Sequence, residues 1–343
     1  MSQAGEKRSW WPWSGGEIAP LASLLVLIVF FAVATGGDFL KMATVMQILR
    51  QGSAWAIVAV GLTFVLLCGE IDLSVGMMAL WGASFCGWLF TRLTEDTVIA
   101  AGATPADGEA GLLIVAVCLL LPLLSCLVLG LITGGLTIWA ALPSFIISLA
   151  MMNVADGLSS YVTQSAALDV PEILEVVGNR GVAITETRGL PYSAILAAVF
   201  FLCGHVVLRH TRFGRYVYMT GGNREAARLA GVRTGLVIIV CLAISAFAAG
   251  VAGLIEAGRL EKVTQDQNAD LLLSAVACVV LGGTSLFGGI GGMGRTAIGV
   301  LTFCVLHVGL NQIQWIPDLL RPFVMGAVLM AALVVNGVFG RQR

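Results

Sequence analysis

The stretch Thr211-Arg-Phe-Gly-Arg-Tyr-Val-Tyr-Met-Thr-Gly-Gly-Asn-Arg-Glu-Ala-Ala-Arg-Leu-Ala-Gly231 decides how this chain is read. It carries Arg212, Arg215, Arg224 and Arg228 against Glu225 alone, with Arg209 before it and Arg233 after it. On either side the chain is apolar for the length of a membrane span, over residues 191–208 and 235–255. A short basic loop between two such runs marks the cytoplasmic face of a membrane protein. Inside the loop, Gly221 and Gly222 permit a tight turn. Asn223 suits an N-cap, Glu225 a first helical turn, and Gly231 a C-terminal stop. The pattern predicts a short exposed helix of about two turns. A solvated positive loop explains the arginines but not a capped helix bearing Ala226, Ala227 and Leu229. Such a small, partly apolar helix suits a partner's groove.

Composition agrees with the membrane reading. Apolar residues make up 58% of the 343 and charged residues 11%, against roughly half and a quarter in soluble domains. Such a chain needs lipid around it. Apolar runs occupy residues 18–36, 53–69, 71–90, 111–133, 143–163, 191–208, 235–255, 271–288, 296–315 and 319–338. They predict an all-α integral membrane fold with about ten crossings. Counting outward from the basic loop puts both termini in the cytoplasm. Lys7 and Arg8, Arg295, and Arg341 and Arg343 then fall inside. The acidic loops Glu95 to Glu109, Asp169 to Glu186 and Glu256 to Asp270 fall outside. The first run is longer than a signal-peptide core and is expected to stay as a span. Trp10, Trp11 and Trp13 ahead of it suit an interfacial segment. The expected division is 1–17 cytoplasmic or interfacial, 18–338 transmembrane with the 209–234 loop outside the bilayer, and 339–343 a cytoplasmic tail.

Net charge is −1, which gives no field for nucleic acid. The eight cysteines lie in apolar runs without a C-x-x-C pair and read as small buried residues rather than a disulfide or zinc framework. No nucleophile–base pair appears, and no metal or cofactor site is expected. Gly289, Gly291 and Gly294 match G-x-G-x-x-G, but no βαβ pattern surrounds them, so a dinucleotide site is rejected. The glycine-rich stretch 281–294 instead suits a broken or re-entrant helix or close helix packing. Gly130 and Gly134 carry the same packing reading.

The segment Gly69-Glu-Ile-Asp-Leu-Ser-Val-Gly76 places two carboxylates in a tight turn between spans. Ionisable groups at such depth are costly and often functional, so Glu70, Asp72 and Ser74 are candidates for a polar path. The competing reading is that the two carboxylates mark the cytoplasmic interface. Asp156 lies well inside a span, where it either faces such a path or pairs with a polar neighbour such as Asn153. His307, near Asn311, either lines a path or is a hydrogen-bonded intramembrane histidine.

Three of these segments resemble, in order, the permease subunit of bacterial ABC sugar importers of the ribose, xylose, arabinose and galactoside type. The similarity runs from about residue 45 to the C-terminus. It rests on Gly69 to Gly76, on Thr211 to Leu229, and on Val279 to Gly289 with its Gly-Gly-Thr-Ser core. The resemblance implies an ABC importer permease fold in the bacterial inner membrane. It also implies a second permease subunit (the same chain or a sister), a cytoplasmic ATPase, and a periplasmic or lipid-anchored solute-binding protein. The solute implied is a sugar, most simply a monosaccharide or a polyol. Gly222, Asn223, Arg224, Glu225, Ala226, Ala227 and Gly231 then become the ATPase-coupling element. Three positions depart from the pattern. Glu70 replaces a glycine, Asp156 stands where arginine is common, and Leu272-Leu273-Ser274 replaces Glu-Leu-Asp. These leave room for another small polar solute, such as a nucleoside or amino acid. An ion-coupled transporter is disfavoured by the sparse intramembrane charge.

Overall fold

The computed structural model describes residues 15–101, 109–185, 188–265, 267–268, 270–313 and 315–340. The tryptophans at 10, 11 and 13 and the arginines at 341 and 343 lie outside them. Five long helices come first: α1 (Gly15–Ala34), α2 (Met42–Leu67), α3 (Val75–Ala101), α4 (Glu109–Trp139) and α5 (Ser144–Thr163). The short α6 (Glu172–Asn179) precedes α7 (Tyr192–His210). Next come α8 (Arg212–Gly222), α9 (Arg224–Leu229), α10 (Thr234–Leu260), α11 (Leu271–Leu281), α12 (Met293–Gln312) and α13 (Arg321–Gly340). Two small antiparallel strand pairs sit among the loops: β1 (Leu168–Asp169) with β4 (Lys262–Val263), and β2 (Gly181–Thr185) with β3 (Arg188–Pro191).

The molecule is a helical integral membrane protein. Among the described residues, six helices are long and apolar enough to cross a bilayer. They are Met42–Leu67, Gly111–Trp139, Ser144–Thr163, Tyr192–His210, Thr234–Leu260 and Met293–Gln312. Each of the ten apolar runs contains a helix, but they are not ten equal crossings. The run 271–288 is the clearest departure. Its helix α11 stops after 11 residues, about 16 Å at 1.5 Å per residue, against a hydrocarbon core of about 30 Å. Gly283 turns the chain with φ +84°, and Gly288 and Gly289 follow with φ +91° and +72°.

Small residues set the core. The spanning window of α10 is 78% buried, that of α4 only 17%, so α10 is the central post and α4 a peripheral one. Lipid tails are as apolar as leucine, so helices associate there by close packing rather than by escape from water. Gly130 and Gly134 on α4 supply it: a Cβ on Gly130 would stand 2.6 Å from the Ala246 Cβ, and one on Gly134 2.6 Å from the Ile239 Cα. On the α3 side, Gly82 packs against Gly250. Leu113, Leu120 and Leu202 point outward from α4 and α7, as a lipid-facing surface requires.

Residues 68–74 leave α2 and run non-helically to α3. Gly69 lies beside the Phe287 carbonyl, past the end of α11, and Gly76 beside Asn268 and Leu272 at its start. The segment therefore runs alongside α11 for the whole of that half-helix. Non-helical backbone packed within a membrane bundle must find partners within the protein. Ser144 and Ser148, one turn apart on α5, accept from the Ile71 and Leu73 amides at 3.0 Å each.

Candidate coupling site and polar cavities

The arginine-rich segment folds as two consecutive helices. Thr211 caps α8, its hydroxyl accepting from the Gly214 amide at 3.2 Å. Gly221 and Gly222 are not the expected tight turn; they are the last residues of α8. Glycine is needed at 221 because its backbone lies against the Leu67 carbonyl at the end of α2, where a Cβ would overlap that oxygen. Asn223 is the N-cap of α9, accepting from the Ala226 amide at 2.9 Å. Gly231 ends α9 with φ +84°. Its amide donates to Arg228 and that of Val232 to Ala227, at 2.9 and 3.0 Å, which is the Schellman arrangement.

The exposure of α9 divides its residues by role. Ala227, 2% exposed, packs inward with Val217, Val232 and Val237. Arg224, Glu225, Ala226 and Arg228 are exposed, and Leu229 is 83% exposed. An anchored helix with one bare leucine among charges offers an outward face that its own fold does not use.

A backbone junction fixes this element to the membrane helices. The Leu67 carbonyl accepts from the Gly289 amide at 3.0 Å. The Tyr218 hydroxyl of α8 donates to the Gly291 carbonyl at 3.1 Å. Burial raises the Tyr218 phenol above its usual pKa, against a smaller opposing pull from Arg295, so it keeps the proton that it donates. Glu70, almost fully buried, pairs with Arg224 in the first turn of α9. A cavity of about 1010 Å³ opens beside this pair, between the α8–α9 loop and the α4–α5 turn, with Arg228 and Arg233 on its wall.

The other candidate residues lie in three different places. Asp72 accepts from the Ser74 amide at 2.9 Å and the Ser74 hydroxyl at 2.6 Å, closing the start of α3. Asn153 and Asp156 lie on the exposed face of α5, and Asn153 donates to its own helix at the Leu149 carbonyl. His307 and Asn311 line a separate cavity of about 710 Å³ between α2, α10, α11, α12 and α13. There the His307 Nε2 meets Gln51 Nε2 at 3.1 Å, and its ring packs against Trp55 with centroids 4.9 Å apart. The candidates are thus not one site. Glu70 joins α9, Asp72 and Ser74 the non-helical segment before α3, Asn153 and Asp156 the face of α5, and His307 and Asn311 a pocket.

Sequence reasoning missed Ser144 and Ser148, although their i, i+4 spacing puts them on one helix face. It also missed Trp55, Glu256, Asn268 and Arg321 around the second cavity, for which no local signal exists because five elements bring them together.

A polytopic bundle carrying an anchored, doubly capped helix on a basic loop is that of a membrane transport subunit. The chain belongs to the family described as Branched-chain amino acid transport system / permease component, whose profile matches residues 44–333. It is 32% identical over 319 residues to the Ribose import permease protein RbsC of Escherichia coli strain K12, covering 92% of each chain. To RbsC of Bacillus subtilis strain 168 it is 31% identical, over 93% of this chain and 92% of the relative. To the Xylose transport system permease protein XylH of Escherichia coli strain K12 it is 28% identical, over 94% and 92%. No solved structure matches. The chain is accordingly a multi-pass inner-membrane permease component, not an enzyme, in a system with a separate ATPase and a binding protein.

Proposed function

We propose that this permease passes a monosaccharide, most simply an aldopentose, through the inner membrane, driven by ATP hydrolysis in its partner ATPase. The names of its relatives, ribose and xylose permeases, support the solute class. The observation that carries the mechanism is α9, capped at both ends and tied to the membrane helices through Glu70–Arg224 and Ala227. Its exposed face docks on the ATPase. The end bearing this element is cytoplasmic, with about ten passes and both termini on that side; α11 and the non-helical segment beside it are broken passes. Two permease subunits pair within the lipid and enclose the translocation path between them. The face of α5 with Asn153 and Asp156 turns toward the second subunit, since a carboxylate at that depth is costly against lipid.

Closure of the ATPases pushes on α9, and the junction with Leu67 and the 288–291 loop carries the displacement into α2 and α12. Such coupling is rigid-body motion of packed elements between two states. The test reconstitutes the permease with its partner ATPase and binding protein. Labelled D-ribose, D-xylose and L-leucine are offered with and without ATP. ATP-dependent pentose uptake is expected. Uptake in vesicles holding only an ion gradient and no ATPase refutes the reading, and leucine uptake alone moves the solute to an amino acid.

A further inference from the structure

The cavity of about 1010 Å³ beside α9 carries more positive charge than its own fold consumes. Arg224, Arg228 and Arg233 stand on its wall against a single carboxylate, Glu70, which is spent on Arg224. Among the described residues, Arg228 and Arg233 form no ion pair. Three guanidinium groups less one carboxylate leave two positive charges around one concavity. The 27-residue helix α10 begins on the same wall at Thr234 and Gly235, with no side-chain cap on its first amides. The positive end of its dipole adds to the field of the arginines.

The rest of the wall is partly apolar. Ile138 and Leu142, at the α4–α5 turn, and Phe287, in the loop before α12, also line the cavity. Phe287 is 91% exposed, and Trp139, the last residue of α4, 84%. Tryptophan at the end of a spanning helix marks the membrane surface. From there the exposed face of α4 continues through Leu136, Ile132 and Leu131. Unpaired cations bordered by apolar side chains, at the end of a lipid-facing helix, match the two halves of a phospholipid.

We propose that this cavity holds the headgroup phosphate of an anionic phospholipid of the cytoplasmic leaflet, with the acyl chains lying along α4. The proposal rests on the orientation given with the import reading above. Basic pockets between helices on the cytoplasmic side suit such headgroups. Arginine suits a phosphate diester because its planar donors reach two oxygens at once. A zwitterionic lipid brings its own cation, which the two uncompensated arginines repel. The lipid braces α9 through Arg228 and leaves the outward Leu229 to the ATPase.

The test reads the cavity directly. Gly222→Cys puts a thiol on its wall, where a side chain meets open space. It is made in a Cys203→Ala background, because Cys203 is the one exposed native thiol among the described residues. Phe287→Cys, on the same wall, is a second reporter should the first not insert. Gly294→Cys, exposed at the start of α12 and off that wall, reads the general effect of a charged surface. The transporter, complete with its ATPase and binding protein, is placed in vesicles of phosphatidylcholine alone or with phosphatidylglycerol added. An uncharged maleimide is the label. With the anionic lipid at ten times its dissociation constant, about one cavity in eleven is empty, so labelling slows about tenfold relative to Gly294→Cys. Arg228→Gln with Arg233→Gln restores the fast rate. Arg212→Gln with Arg215→Gln removes equal charge from the same loop, off the wall, and leaves the protection in place. Equal fast rates in both lipids overturn the site. So do equal slow rates, which assign the cavity to the ATPase, and protection by inorganic phosphate in phosphatidylcholine alone, which assigns it to a soluble anion. ATP-driven pentose uptake by the same vesicles keeps the import reading standing in each of these cases. Protection by phosphatidylglycerol in vesicles that take up pentose without ATP overturns the import reading and keeps the lipid site.

Discussion

The pair Glu70–Arg224 gives the sharpest test of how α9 is held. The Glu70 side chain is 9% exposed and that of Arg224 49%, so the two losses are unequal. Arg224→Ala leaves a nearly buried carboxylate without its cation. Breaking a fully buried pair from one side costs about 3–5 kcal/mol, and exposed pairs are worth about 0–1. The half-exposed arginine puts Arg224→Ala between these limits, at about 2 kcal/mol. Glu70→Ala releases Arg224 to water and costs less, about 1 kcal/mol. In the double variant the orphaned carboxylate is gone, so it lands near Glu70→Ala alone. The cycle therefore carries a coupling of about 2 kcal/mol. Unfolding of the four proteins in mixed micelles, titrated with denaturing detergent, reads the cycle. Basal and binding-protein-stimulated ATPase rates in nanodiscs read its functional counterpart. The single alanine variants should lose stimulation, and the charge-swapped Glu70→Arg with Arg224→Glu should regain part of it. Losses that simply add, within about 0.5 kcal/mol, with stimulation intact in every variant, refute the role given to the pair.

Gly221→Ala forces a methyl into the Leu67 carbonyl, so it should weaken ATP-driven uptake far more than membrane insertion, compared by uptake per inserted molecule. Ser144→Ala and Ser148→Ala each strand a backbone amide and should cost about 1–3 kcal/mol apiece in unfolding. Asn223→Ala removes the N-cap of α9, at about 1 kcal/mol, and should speed hydrogen exchange across 224–229 without changing it in α10. Leu229→Asp touches no packed neighbour and should leave the unfolding midpoint unchanged while weakening the ATPase–permease complex, measured by co-purification.

What could be read from the sequence were the features written in neighbouring residues. The α9 cap, its stop at Gly231 and a helix within each apolar run are all local patterns, and these stand where they were expected, although the run 271–288 ends its helix early. The role of Gly221 was not legible, because a glycine in a Gly-Gly pair reads as a turn until its neighbour across space, Leu67, is known. The inward aim of Ala227 was equally hidden: alanine is compatible with either face of a short helix. Glu70 reads as a carboxylate in a turn, and only the 154-residue separation from Arg224 explains why its partner went unseen. The cavity around His307 is the extreme case, since α2, α10, α11, α12 and α13 each contribute a wall and no segment of the chain carries its signature.

The short helix α11 and the non-helical segment beside it account for how several distant elements are bonded together. A continuous helix satisfies its own backbone in lipid and has nothing to spare. Once α11 stops at Leu281 and residues 68–74 run non-helically beside it, amides and carbonyls become available to other segments. The Leu67 carbonyl takes the Gly289 amide, the Gly291 carbonyl takes Tyr218, and the Ile71 and Leu73 amides take serines from α5. These bonds join the end of α2, the loop before α12, α8 and α5 at one level of the bundle. The Leu67–Gly289 bond joins two backbones directly, and Gly221 seats the end of α8 against the same Leu67 carbonyl. Along α2 and α12 lie Trp55 and His307, which meet at the cavity. Gly288 and Gly289 thus bring the loop before α12 against the ends of α2 and α8.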